Sequence, residues 1–231
     1  MISPVRVRIA LLLSVVSAGV AEAQGPDPAF RPKHVVASAG LFGSSGLAVG
    51  DVTAELRRNA IGTPSPFTLL RAESEFDRTM GADVRVAVAL TRLLAVEVGG
   101  TYAKPNLAIA VSQDVEAGAV SSIAGTTTQY TVDVSGLYQV PRVKWGSRIR
   151  PYVIGGGGYL RQLHEGRLRV ETGHTIHLGG GIRYWISGGQ RTRRAVGARV
   201  EARMIRRSGG IEFDERRHIY PAFSLLGFVG L

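Results

Sequence analysis

Between Arg167 and Ile186 the chain changes character at nearly every residue. Even positions hold Leu168, Val170, Thr172, His174, Ile176, Leu178, Ile182, Tyr184 and Ile186, while odd positions hold Arg167, Arg169, Glu171, Thr175, His177, Arg183 and Trp185. Alternation with a period of two places such sets on opposite faces of an extended strand. The rhythm recurs. Met80, Ala82, Val84, Val86, Val88 and Leu90 oppose Gly81, Asp83, Arg85, Ala87 and Ala89. Val96, Val98 and Tyr102 oppose Glu97, Gly99 and Thr101; Tyr130, Val132, Val134 and Tyr138 oppose Thr131, Asp133 and Ser135, with Leu137 as an exception; and Val196, Val200 and Met204 oppose Gly197, Arg199, Glu201 and Arg203.

The pattern predicts eight strands, at His34 to Gly43, Glu75 to Leu90, Ala95 to Lys104, Gln129 to Val140, Arg148 to Leu163, Arg167 to Ile186, Arg193 to Arg206 and Arg217 to Leu231. Their lengths matter. Strands of sheet sandwiches usually run to about five or six residues, and a strand crossing a bilayer needs about nine to eleven. The connections after even strands are short, at Thr91 to Leu94, Pro141 to Gly146 and Ser187 to Thr192, whereas Ser44 to Ser74 and Pro105 to Thr128 are long external connections. That asymmetry is the one expected of an outer-membrane barrel, with short turns on the periplasmic side. The hairpin at His164 to Gly166 is short as well, which fits if the fifth and sixth strands project above the membrane as a ribbon. The predicted fold is an all-β, eight-stranded, antiparallel up-and-down transmembrane barrel, apolar on its outer face and charged within.

The ends agree with export. Arg6 and Arg8 precede an apolar run from Ile9 to Val20 and then Ala21-Glu22-Ala23, the layout of a secretory signal peptide. The expected organisation is therefore a signal peptide over 1–23, a periplasmic leader over 24–33 and a barrel domain over 34–231. No later apolar run is long enough for a transmembrane helix, although apolar residues make up 45% of the chain. Insertion must then be through strands. The formal charge is +10, and a leader holding Arg6, Arg8 and Glu22 accounts for one unit of it, so +9 remains. The basic residues are scattered through strands and turns, which favours lipid phosphates over nucleic acid as the anionic neighbour.

An eight-stranded barrel has an interior just wide enough for side chains to fill. The residues expected there are Asp83, Arg85, Glu97, Asp133, Arg183, Arg199, Glu201 and Arg203, four acids facing four bases. Buried charges are costly unless paired, so a self-neutralising plug is the expectation, with a gated conduit as its rival. At the outer rim Arg161, Arg167, Arg169, Arg206, Arg207, Arg216 and Arg217 converge, interleaved with Glu165, Glu171, Asp214 and Glu215. Arginine forks match phosphate oxygens, so this rim is a candidate site for lipopolysaccharide. The tyrosines, Tyr138, Tyr152 and Tyr184 toward one end and Tyr102, Tyr130, Tyr159 and Tyr220 toward the other, suggest two interfacial girdles.

Other chemistry is thin. There is no cysteine, and His174 and His177 differ in parity, so no metal or cofactor is expected. Gly155 to Gly158 lies in a strand pattern without the lysine and helix start of a phosphate loop. His174 and Thr172 share the outward face, and a histidine beside a hydroxyl can activate it. No acid of the same parity accompanies them, and no catalytic residue is assigned.

The chain resembles the small outer-membrane β-barrel family typified by the membrane domain of outer membrane protein A. The signal peptide, the alternating strands, the Arg150 to Tyr159 segment and the ending FSLLGFVGL carry the resemblance. Ile219, Phe223, Leu225, Val229 and Leu231 keep the terminal alternation, but the last residue is leucine where that family usually ends in an aromatic. The resemblance implies an outer-membrane location, assembly by the barrel-assembly machinery, and a structural, anchoring or adhesive role without an open pore. Two alternatives stand beside it: a lipid A-modifying outer-membrane enzyme, and a soluble lipocalin-like ligand-binding barrel with its apolar face turned inward.

Overall fold

The computed structural model describes residues 33–56, 67–112, 120–141, 148–164, 170–187, 195–211 and 218–231. The expected signal peptide and nearly all of the leader lie outside these residues. Twelve strands are present among them, in two sheets. Eight form the closed barrel: β1 (Val35–Ser44), β4 (Thr79–Ala89), β5 (Leu94–Ala103), β8 (Thr128–Gln139), β9 (Ile149–Leu163), β10 (Val170–Ser187), β11 (Val196–Gly209) and β12 (His218–Gly230). The other four, β2 (Leu47–Leu56), β3 (Phe67–Phe76), β6 (Asn106–Ser112) and β7 (Val120–Thr126), make a second sheet in the order β2-β3-β6-β7.

Every barrel neighbour is antiparallel, and β1 closes the wall by pairing β12 on one side and β4 on the other. Closure removes the unpaired edge that hydrocarbon cannot solvate. The wall is inverted relative to a soluble protein. Leu178 is 70% and Ile176 63% exposed on β10, while Arg85 and Arg199 are only 1% exposed inside. A lipocalin-like barrel, with apolar residues inward, is therefore excluded. Outward positions on β8 run from Tyr130 through Val132 and Val134 to Tyr138, a span of about 26 Å along the strand at ~3.3 Å per residue. After allowance for strand tilt, this suits a hydrocarbon band of about 25 Å.

The two long connections are strands, not loops. The expected strand from Glu75 breaks around Asp77 and Arg78, so that β3 ends and β4 begins there. Lys104 and Pro105 separate β5 from β6 in the same way, and Thr127 separates β7 from β8. Each break lies where an outgoing or returning strand leaves the wall. Above it β2 pairs β3, β3 pairs β6 and β6 pairs β7, repeating the wall order β1, β4, β5, β8. Half of the barrel wall is thus continued outward as an open sheet. β9 and β10 pair up to Leu163 and Val170, but β8 pairs β9 up to Leu163 as well, so the described residues of β9 stay within the wall, and the hairpin beyond them lies outside the described residues.

At the other end the turn between β4 and β5 is tight for a local reason. The Thr91 hydroxyl accepts hydrogen bonds from the Leu93 and Leu94 amides at 3.2 and 3.0 Å, satisfying donors that the turn would otherwise strand.

Candidate functional site

The interior is layered along the barrel axis. At the end with short turns, Val36, Ala87, Ala95, Leu137, Tyr152, Ile154, Trp185, Ala195 and Phe228 form an apolar floor. Leu137, the irregularity in its strand's pattern, is fully buried there. It points inward like Asp133, but at a height where the lumen is apolar.

The middle layer contains all eight expected lumenal charges, each buried. Glu97 is its hub: Arg199 donates to both carboxylate oxygens, at 2.6 and 2.9 Å, and Arg85 donates to one of them at 3.2 Å. Arg85 also clamps Asp83 from two nitrogens, each at 2.8 Å, and the Ser224 hydroxyl donates to the same carboxylate at 2.8 Å. Glu201 accepts from the Tyr152 hydroxyl at 2.6 Å and from Arg203 Nε. Arg183 lies over the Tyr152 ring, 4.9 Å from its centroid. Two glycines make room: a Cβ on Gly99 would stand 3.1 Å from Asp133 Oδ2, and one on Gly181 would stand 2.6 Å from Tyr152 Cζ.

Sequence pattern did not single out Ser135, His177, Tyr152 or Ser224 for this layer. Parity would have found His177, which shares odd positions with Arg183. Tyr152 was hidden by Gly155 to Gly158, four residues with no side chain to mark a face. Tyr152 and Tyr220 turn inward, so the interfacial girdles are built by Tyr102, Tyr130, Tyr138, Tyr159 and Tyr184 alone.

Ser135 donates to Asp133 at 3.0 Å and lies 2.9 Å from His177 Nε2. The order differs from that of a nucleophilic triad, in which histidine stands between acid and hydroxyl. Here the hydroxyl stands between the other two, inside a filled lumen. His174 and Thr172 face outward, and the His174 ring packs edge-on against Tyr159, 6.3 Å between centroids.

Above the charges, Phe42, Ala103 and Ala222 form a second apolar layer with Ile205. Leu47, Val49, Phe76, Leu107 and Tyr220 then roof the barrel where the external sheet begins, with Ile205 and Ile211 against them. Arg207 belongs here. The expected rim included it, but its side chain is 1% exposed and turned inward, in parity with Arg199 and Arg203. It donates to the Gly209 and Ile211 carbonyls at 2.9 and 2.5 Å and lies over the Phe76 ring. Gly209 and Gly210, with φ of 80° and 89°, let the strand end fold over the mouth, and the Gln162 side chain holds the Ile211 amide at 2.9 Å. Of the other rim arginines, Arg161 and Arg206 are on the outer wall. Arg167, Arg169, Arg216 and Arg217 lie outside the described residues.

No family model matches the sequence, and no curated protein matches it. Solved structures to which it is similar include three outer-membrane proteins. The outer membrane protein OprG from Pseudomonas aeruginosa is 10% identical, with a TM-score of 0.46, covering 88% of this chain and 98% of that one. The outer membrane protease OmpT from Escherichia coli is 9% identical, with a TM-score of 0.36, over 87% of this chain and 97% of its own. The outer membrane protein AlkL, determined in lipid bilayers, is 15% identical with a TM-score of 0.37, over 94% and 96%. The class is defined by the wall itself, closed, apolar outside and charged within: this chain is an outer-membrane β-barrel.

Proposed function

We propose that the protein is a non-conducting, non-catalytic membrane anchor that presents a four-stranded sheet at the outer surface for structural or adhesive contact. One observation carries this reading: the lumen is filled in successive layers, with an apolar floor, a charge network centred on Glu97, and an apolar roof closed by Phe76 and Tyr220. A water-filled path would have to displace all three. The external sheet supplies what the filled barrel lacks, a surface on the far side of the membrane.

The test is electrical. Purified protein in planar bilayers should give no steady current, and Glu97→Ala combined with Arg199→Ala should still give none, because the floor and roof remain. Stable ohmic conductance of the unaltered protein would overturn this reading. The catalytic alternative rests on Thr172 and His174, so hydrolysis or acyl transfer on lipid A that disappears in His174→Ala would replace anchoring with enzymology.

A further inference from the structure

The outer wall is chemically one-sided near its external end. On β9, β10 and β11 the outward residues there include Arg161, Thr172, His174, Arg206 and Ser208, and none of the described outward residues at that height is acidic. The sheet register fixes their arrangement. Arg161 is opposite Thr172, Tyr159 is opposite His174, His174 is opposite Ser208, and Arg206 is opposite Ile176. At the height of Arg206 the neighbouring wall carries Ile219, and the outward positions below it on β12 and β1 hold Phe223 and Leu41. Glu171, which in sequence seemed placed to compensate the arginines, has the inward parity of its strand.

The spacing is informative. Thr172 and Ile176 are four positions apart, about 13 Å, and β9 and β11 are two strand spacings apart, about 10 Å, which puts the two arginine backbones about 16 Å from each other. That is too wide for one phosphate. It suits a headgroup with a phosphate at each end and hydroxyl-bearing sugar between them, facing Thr172, His174 and Ser208. Ile176, level with Arg206, and Leu178 below it are the exposed apolar surface against which acyl chains would lie.

We infer that this face of β9, β10 and β11 is a binding site for a bis-phosphorylated glycolipid of the outer leaflet, the lipid A portion of lipopolysaccharide, with Arg161 and Arg206 each taking one phosphate. Guanidinium forks fit phosphate oxygens in two-point fashion, and the outer leaflet supplies those oxygens at this height. The inference rests on the wall being lipid-facing but not on the lumen being closed. A conducting barrel would overturn the anchor reading and leave this site untouched.

Refolded protein in detergent is titrated with lipopolysaccharide, with the same material after removal of its lipid A phosphates, and with phosphatidylglycerol. The unaltered protein should bind intact lipopolysaccharide at least tenfold more tightly than either of the others. Arg161→Gln with Arg206→Gln should remove that margin, while Arg92→Gln at the opposite rim should keep it. Equal binding of the three lipids by the unaltered protein, or full margin in the double variant, overturns the site. If the double variant fails to fold, seen as loss of the heat-dependent shift between boiled and unboiled samples on an SDS gel that a folded barrel should show, the three-lipid comparison on the unaltered protein and the single Arg161→Gln variant decide instead.

Discussion

Two tyrosines seven residues apart show what position does to one chemical group. Tyr152 donates a hydrogen bond from its hydroxyl to Glu201 at 2.6 Å in the lumen, whereas Tyr159 lies on the outer wall beside His174. Removing the Tyr152 hydroxyl leaves a buried carboxylate one donor short, which costs about 1–3 kcal/mol. Tyr152→Phe should therefore lower the free energy of urea unfolding in detergent by that amount, and Tyr159→Phe should change it by less than about 0.5 kcal/mol. Equal effects would mean that the inward assignment of Tyr152 is wrong. Glu97 is the harsher case, since its loss leaves Arg85 and Arg199 without their shared carboxylate. Glu97→Gln should destabilise by about 3–5 kcal/mol, as expected when one partner of a buried ion pair is removed, read in the same unfolding assay. The eight charges could be assigned from sequence because each sits in a strand of unbroken parity. Arg207 has the same parity, but its neighbours in sequence at the external end of the strand, Arg206 and Ser208, are rim residues, and nothing in the pattern shows that the roof extends over it. The floor residues were obscured for a different reason: alternation separates faces, not heights, so Leu137 seemed an error in a charged row rather than the start of an apolar layer.

At the scale of elements, eight strands were legible because lipid demands length and two distinct faces, and both leave marks in sequence. The external strands leave weaker ones. β7 reads VSSIAGT and β6 NLAIAVS, short runs without a sustained charged face. Above the membrane neither lipid nor a packed lumen imposes alternation on both sides. The transitions are clearer in retrospect: Lys104-Pro105 marks the break between β5 and β6, and a proline has no amide to continue a ladder. Because β5 and β8 already pair at Ala103 and Gln129 below the break, the β6–β7 hairpin is not needed to close the wall. Replacing residues 106–126 by a short glycine-containing turn should leave the heat-dependent gel shift intact. That replacement gives up one roof residue, Leu107, whereas removing β2 and β3 gives up three, Leu47, Val49 and Phe76. The β2–β3 deletion should therefore make the barrel more susceptible to added protease at its external end than the β6–β7 deletion does.

For the whole molecule, the decisive relation is between what the barrel encloses and what surrounds it. In the charged layer four arginines and four carboxylates cancel, and Arg207 under the roof adds one more buried arginine, so most of the basic excess of the chain resides elsewhere. Arg161 and Arg206 place part of it on the outer wall. A charge on that wall is tolerated only near an interface; at mid-height an arginine costs about 2–4 kcal/mol. The wall therefore makes its own prediction of depth. Val134→Arg, midway between the Tyr130 and Tyr138 rings on β8, should destabilise the protein in lipid bilayers by that amount. Ser135→Arg next to it should be worse still, because an inward arginine must enter a lumen already filled by Asp133 and His177. Arg206→Gln should shift stability by less than about 0.5 kcal/mol, as befits a side chain with no ion pair among the described residues. Unfolding from bilayers ranks the three. A ranking in which Val134→Arg is as mild as Arg206→Gln would mean that the apolar outer face does not meet hydrocarbon at that depth, and the transmembrane placement of β8 would have to be redrawn.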